Sequence, residues 1–323
     1  MQSIITQNLT KQYTYFEKPE GLKGSFTSLF RREQKVRTAL DDFSCCIGEG
    51  EFVGLMGPNG AGKTTLIKLL TGIIQPTSGQ VTVGGFRPFQ GKSTFKKSFA
   101  VVMGQKSQLW WDLPASDSLL LNKEIYEIED RQYRDNVTYF TKLFDVTQYL
   151  SVPVRKLSLG ERMKFELIAS LLHQPKILFL DEPTIGLDAA AQRQIRAMLK
   201  TAGQERGITL LLTSHYTEDL LELTKRCIVL RQGRKIYDGD LRALLSAQST
   251  SSVITVSLSA ACTLPHLPGA EILERQNDLL SLRTPKDNTQ RILKQLLDYC
   301  DIADITVADD DVTMLVERVY AQA

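Results

Sequence analysis

A nine-residue stretch, Gly57-Pro-Asn-Gly-Ala-Gly-Lys-Thr-Thr65, constrains this chain more than any other. It follows a short apolar segment, Glu51 to Met56, and precedes Leu66 to Leu70, so it joins a buried strand to a helix. Gly57 and Gly62 bracket the spacing GxxxxGK[ST]. Glycine lets backbone approach phosphate oxygens, and such a loop turns its N–H groups inward. The helix behind it points its positive end at the same anion. Pro58, Asn59, Gly60 and Ala61 are all small or turn-forming, as a tight anion cradle requires. Lys63 adds a point charge for the β- and γ-phosphates, Thr64 a hydroxyl for Mg²⁺, and Thr65 a donor for the α-phosphate.

A second apolar run, Lys176 to Leu180, ends in Asp181-Glu182-Pro183. An aspartate closing a buried strand sits at the carboxyl edge of a sheet, beside the phosphate loop, where it can hold Mg²⁺ through water. Glu182 follows it and is placed to polarise an attacking water. A third run, Ile208 to Thr213, ends in Ser214-His215, and a fourth spans Cys227 to Leu230 with a short strand at Lys235 to Tyr237. These runs alternate with helical stretches, Ala189 to Thr201 and Thr217 to Lys225. The expectation is a parallel sheet covered by helices.

Residues 90–160 read as a helical insertion, with helices around Ser116 to Glu129 and Asp130 to Phe144 and a further one from Ser158. Residues 14–38 read as a basic insertion with Phe26, Leu29 and Phe30 at helical spacing, a pattern suited to a membrane surface, a partner or a solvated excursion. Residues 241–252 read as a linker. Residues 253–323 read as a small α+β accessory domain: a strand at Val253 to Leu258, a hairpin turning at Asn277-Asp278, a helix at Thr289 to Tyr299, a strand at Ile302 to Val307 and a helix at Asp311 to Tyr320.

Composition narrows the class. With 42% hydrophobic and 24% charged residues and a net charge of +2, the 323-residue chain is neither disordered nor a disulfide scaffold. No apolar run nears the roughly 18 residues that cross a bilayer, and the first residues lack the pattern of a signal peptide. Five cysteines without CxxC spacing and three scattered histidines form no expected disulfide or zinc framework. From Thr250 onward six Lys and Arg face eleven Asp and Glu, so the preceding 249 residues carry +7.

The ordered set GPNGAGKTT, Gln105 in VVMGQKSQLWWDLP, LSLGE at 157–161, LFLDEPTIGLD at 178–188 and TSH at 213–215 resembles the ATP-binding subunit of an ABC transporter, of the ABC-2-type exporter group. The resemblance covers residues 1–240. It implies a P-loop NTPase core of ABC type, α/β, with a helical subdomain. It implies ATP and Mg²⁺, and two copies facing head to tail so that each ATP lies between one copy's phosphate loop and the other's signature. Ser158 and Gly160 carry that signature; Leu159 and Glu161 depart from the usual LSGGQ. Ser158 with Glu161 three residues later also reads as a capping box, in which Glu161 turns back on its own helix.

The same resemblance implies that Tyr13 stacks on adenine, with Tyr15 its rival. It implies that Gln105, with Gln108 its rival, reaches Mg²⁺ and the attacking water. His215 corresponds to the γ-phosphate switch and Asp188 to communication across the dimer. Trp110 and Trp111 fall in the region that faces membrane subunits. Expected partners are a second copy and integral membrane permeases, without nucleic acid. The expected place is the cytoplasmic face of the cell membrane, and the expected work is ATP-driven export. Export of a large glycoconjugate or lipid-linked polymer, or a soluble ABC ATPase without transport, are the alternatives.

Overall fold

The computed structural model describes residues 2–16, 34–104, 106–214, 216–259, 264, 266–276, 278–309, 315–316 and 319. They fall into two units, Met1–Asp240 and Leu241–Ala323.

The first unit is organised by a six-stranded sheet. Its strands are β3 (Phe52–Met56), β5 (Phe99–Met103), β6 (Ile177–Asp181), β7 (Thr209–Thr213), β8 (Arg226–Arg231) and β9 (Arg234–Asp240). Their order is β5-β6-β7-β3-β8-β9, all parallel except β9. β7 is buried at every position and β6 at every position but Asp181, which is why both read as unbroken apolar runs. Three further strands, β1 (Gln2–Phe16), β2 (Gln34–Gly48) and β4 (Ser78–Val83), form an antiparallel sheet ordered β2-β1-β4. Ile4, Leu9, Leu40, Phe43 and Val81 of that sheet share one core with Val53, Leu55, Phe179, Leu211 and Ile228. Helix α1 (Lys63–Leu70) contributes Leu66, Ile67, Leu69 and Leu70 to the same core. The phosphate loop is therefore anchored behind by buried apolar area, worth roughly 1.5–3 kcal/mol per large side chain.

Besides α1 and a single helical turn at Ser93–Lys96, the described helices of this unit are α2 (Ala115–Tyr126), α3 (Asp130–Leu143), α4 (Leu159–Leu171), α5 (Ala189–Arg206) and α6 (Thr217–Leu223). The expected helical insertion begins later than residue 90. Phe99–Met103 is β5, paired in parallel with β6, because Ala100 and Val102 alternate into the core. The expected insertion at 14–38 is also narrower. Its ends continue the β1–β2 ladder, pairing Tyr13 with Arg37 and Phe16 with Gln34. Phe26, Leu29 and Phe30 lie outside the described residues.

The second unit opens with helix α7 (Leu241–Gln248) where a linker was expected. Leu241, Leu244 and Leu245 are buried at i, i+3 and i+4, the spacing of one helical face. Strands β10 (Ser251–Leu258), β11 (Glu271–Gln276), β12 (Leu279–Pro285) and β13 (Ile302–Asp309) form an antiparallel sheet ordered β11-β12-β10-β13. Ile254, Val256, Leu280 and Leu282 pack against Ile292 and Leu296 of helix α8 (Thr289–Tyr299). Most of the expected helix at 311–320 lies outside the described residues. Against the expectation from cysteine spacing, Cys300 is disulfide-bonded. Among the described residues no helix is long and apolar enough to cross a membrane.

Candidate active site

The carboxyl ends of β3, β6 and β7 meet at one edge of the sheet. β3 delivers the phosphate loop, β6 the acidic pair and β7 the Thr213-Ser214 turn. Gly57 holds φ +145°, and a Cβ there would sit 2.2 Å from the Leu230 carbonyl oxygen. Only glycine lets the loop pass so close to β8. Tyr13, Asn59, Gly60, Ala61, Gly62, Lys63, Thr64, Thr65 and Glu182 line one cleft of about 410 Å³. Arg37 and Ala39 line it too, and sequence reasoning missed both. Their signal is the β1–β2 register, which sets Arg37 opposite Tyr13.

Lys63 is buried, and its Nζ donates to the carbonyls of Gly57 (2.6 Å) and Pro58 (3.2 Å). Burial pushes its ammonium below the usual lysine value, while Glu182 and Asp181 pull it back up. The Thr64 hydroxyl donates to Asp181 Oδ2 at 3.0 Å, and the Thr213 hydroxyl to Asp181 Oδ1 at 2.6 Å. Thr64 and Asp181 thus present adjacent hard oxygens, the donor set Mg²⁺ takes alongside substrate phosphates. Among the described residues no group of three or more His, Cys, Asp or Glu gathers to hold a metal unaided. Two protein oxygens with phosphate and water completing the shell fit a nucleotide-borne Mg²⁺.

Glu182 holds φ +57°, a left-handed backbone conformation that costs a non-glycine residue roughly 1–3 kcal/mol. Its N–H is fixed by the Thr213 carbonyl (3.0 Å) and hydroxyl (3.1 Å). On the other side the Gly104 N–H donates to the Asp181 carbonyl at 2.9 Å. A Cβ on Gly104 would lie 2.2 Å from the Glu182 carbonyl oxygen. The strained glutamate is therefore held from both neighbouring strands.

Ser158, Leu159, Gly160, Glu161 and Asp188 line a second depression of about 320 Å³, with Gly186 and Ala191. It shares no described lining residue with the first cleft. Ser158 caps α4: Glu161 N–H donates to Ser158 Oγ (3.2 Å), and Ser158 N–H donates to Glu161 Oε2 (2.8 Å). The expected capping box is present. Partial burial raises the Glu161 carboxyl, but the Ser158 bonds together with Tyr149 and Lys164 hold the group below its ordinary value. Asp188 caps α5 by accepting from Ala191 N–H at 2.8 Å.

Gln105 and His215 lie outside the described residues. Their neighbours are placed: Ser214 donates to Asp219 Oδ2 at 2.6 Å, beside the Thr184 hydroxyl. Gln108, the rival of Gln105, spends its amide on the Val101 carbonyl (3.2 Å). Tyr15, the rival of Tyr13, is absent from the cleft lining. Trp110 and Trp111 are both more than half exposed.

The ABC transporter family matches residues 40–185. The Nod factor export ATP-binding protein I of Rhizobium leguminosarum bv. viciae is 30% identical over 268 residues, covering 82% of this chain and 85% of that protein. The chain belongs to the ABC transporter family. The ATP-binding protein NatA of Bacillus subtilis (strain 168) is 29% identical over 230 residues, 71% of this chain and 93% of NatA. Among solved structures, a dimeric ATP-binding cassette in a post-hydrolysis state with ADP and Pi is similar at TM-score 0.61. It is 23% identical, with 74% of this chain and 99% of that one covered. The subunit described here is thus an ATP-binding ABC ATPase built on the P-loop fold.

Proposed function

We propose that two copies of this chain close head to tail around two Mg·ATP, and that hydrolysis reopens them to drive export through separate membrane subunits. One observation carries the reading: within a single chain the nucleotide cleft and the Ser158 depression are lined by separate sets of residues, each of which is one half of a composite site in this reading. A second copy supplies the missing half. The dimeric ADP- and Pi-bound neighbour supports that arrangement, and the export named in the Nod factor relative supports the direction.

In this reading Tyr13 stacks on the adenine, and the loop amides with Lys63 hold the phosphates. Thr64 and Asp181 would hold Mg²⁺, which neutralises charge on the β- and γ-phosphates. Glu182 orients and deprotonates the attacking water, with Gln105 and His215 completing its surroundings. The α4 N-terminus with Ser158 and Gly160 faces the partner's γ-phosphate, and Asp188 faces the seam. ATP favours the closed pair because only that state contacts it from both sides. Residues 1–240 are the ATPase domain and the second unit an accessory contact domain. Membrane partners hold the assembly at the inner face of the cell membrane.

The test is phosphate release and light scattering on purified protein. Glu182→Gln binds ATP, forms an ATP-dependent dimer and loses turnover; hydrolysis at the wild-type rate refutes the assignment. Lys63→Ala loses nucleotide; undiminished binding contradicts the loop's role.

A further inference from the structure

We propose that Glu166 is a positioning residue that fastens the loop 106–111 to helix α4, so that the acidic edge of one nucleotide cleft and the Ser158 end of the same chain move as one body. The inference rests on the reading above, in which Glu182 cleaves and Ser158 serves the opposite copy.

Glu166 is 3% exposed, two turns into α4. The Ser107 hydroxyl donates to its Oε1 at 2.5 Å, and the Gln108 N–H donates to both carboxylate oxygens at 3.0 Å. The Leu109 N–H donates to the Ser107 Oγ at 3.1 Å and so steadies the hydroxyl that meets the carboxylate. Burial works against the charge and pushes this carboxyl up. A carboxylate with two converging donors from one loop, at such a desolvated place, needs a reason. The ATPase chemistry uses none of these groups.

The loop starts at the chemistry. Gly104 N–H is bonded to Asp181, and Lys106 N–H returns to Met103 at 2.8 Å. It ends at Trp111, whose ring lies 5.6 Å from the Arg162 guanidinium. Ser158, Arg162 and Glu166 follow at i, i+4 and i+8, on one face of the helix. The loop is thus held at one end by the Asp181 strand and along its length by the helix that presents Ser158. Two contacts join this loop to that helix, the Glu166 carboxylate and the Arg162–Trp111 pair. Of these the buried carboxylate is the stiffer.

The experiment measures kcat, KM and ATP affinity of the full chain for Glu166→Ala, Glu166→Gln, Ser107→Ala and the Ser107/Glu166 double alanine variant. Glu166→Ala is expected to lower kcat about tenfold, the scale of coupling changes along packed networks. KM and ATP affinity should stay within about twofold, as for an interaction absent from ground-state binding. Glu166→Gln, which keeps one acceptor oxygen, should recover part of the loss. The double variant should be no slower than Glu166→Ala, because both substitutions cut one link. An unchanged kcat, a loss carried by KM, or additive losses would overturn the proposal. Amide exchange tests it independently of turnover. In wild type, ATP slows exchange in 106–111 and 159–163 together; in Glu166→Ala it slows only 106–111. Equal protection of 159–163 in both proteins, or none in wild type, sinks the coupling. If instead Glu182→Gln hydrolyses at the wild-type rate while the exchange result holds, the catalytic reading fails and the link stands.

Discussion

Asp219 is fully buried and accepts from three elements at once. Arg196 Nη1 of α5 donates to Oδ1 at 2.9 Å, and the Ser214 hydroxyl to Oδ2 at 2.6 Å, beside the Thr184 hydroxyl. Arg196 is itself only 6% exposed; its Nε lies 3.0 Å from Glu222, an ion pair rather than an aligned hydrogen bond. Arg196→Met removes the cation and keeps most of the volume. The carboxylate is left at 0% exposure with hydroxyls alone. Breaking one side of a buried pair costs about 3–5 kcal/mol. For a unit of this size each kcal/mol moves Tm by about 2–4 °C, so the expected fall is about 6–20 °C. Both tryptophans, Trp110 and Trp111, lie in the first unit, so their fluorescence follows that unit's melting alone. Asp219→Asn in the Arg196→Met background removes the stranded charge and should regain part of the loss. A fall below about 3 °C for Arg196→Met, outside the range that the buried-pair cost implies, would refute the argument. So would an Asn second change that lowers Tm further.

Three other outcomes are expected. Gly104→Ala drives a Cβ to 2.2 Å from the Glu182 carbonyl oxygen; the overpacking should cost about 1–3 kcal/mol and reduce phosphate release more than ATP binding, and equal losses in both would contradict it. Glu161→Ala removes half of the capping box and should cost about 0.3–1.5 kcal/mol in thermal melts at neutral pH. Because folding holds this carboxyl below its ordinary value, its contribution is present above about pH 4.3 and disappears as pH falls through the depressed folded value; an acid limb unchanged by the substitution counts against the cap. Burial pushes the Cys45 thiol up to about 11 and Cys227 to about 12, whereas Cys46 is exposed; iodoacetamide at pH 8 followed by peptide mapping should mark Cys46 and spare the other two, and equal labelling would show the burial to be wrong.

Motifs whose meaning is local were legible. The phosphate loop, the apolar run ending in Asp181-Glu182 and the Ser158–Glu161 pair each carry their structure within a few residues of sequence. The hairpin at 271–282 and the helix at 289–299 were legible for the same reason: turn residues and periodicity are short-range signals. What escaped depends on pairing between distant segments. Phe99 to Met103 looks like part of a helical region until β6 is set beside it, and Arg37 looks like one of many basic residues until the β1–β2 ladder sets it against Tyr13. Leu241 to Gln248 was passed over because its Ser and Gln neighbours resemble a linker, although its leucines keep helical spacing.

The least legible residues are Glu166 and Asp219, and both fail to show for one physical reason. In sequence each is a carboxylate in a charged helical stretch, which usually means a solvated face. In the fold each is buried and faces loop hydroxyls: Ser107 for one, Thr184 and Ser214 for the other. Asp181 repeats the pattern with Thr64 and Thr213. The loops around the cleft must stay open to a large anion, so apolar packing reaches the phosphate loop only from behind. Short hydroxyl side chains turned inward onto carboxylates fix the cleft side, leaving the outward backbone amides for phosphate. Such anchors hold loops at defined positions yet remain polar enough to re-form after a shift. An ATPase whose two half-sites must meet, part and meet again needs that combination, and apolar packing alone would supply only the first half of it.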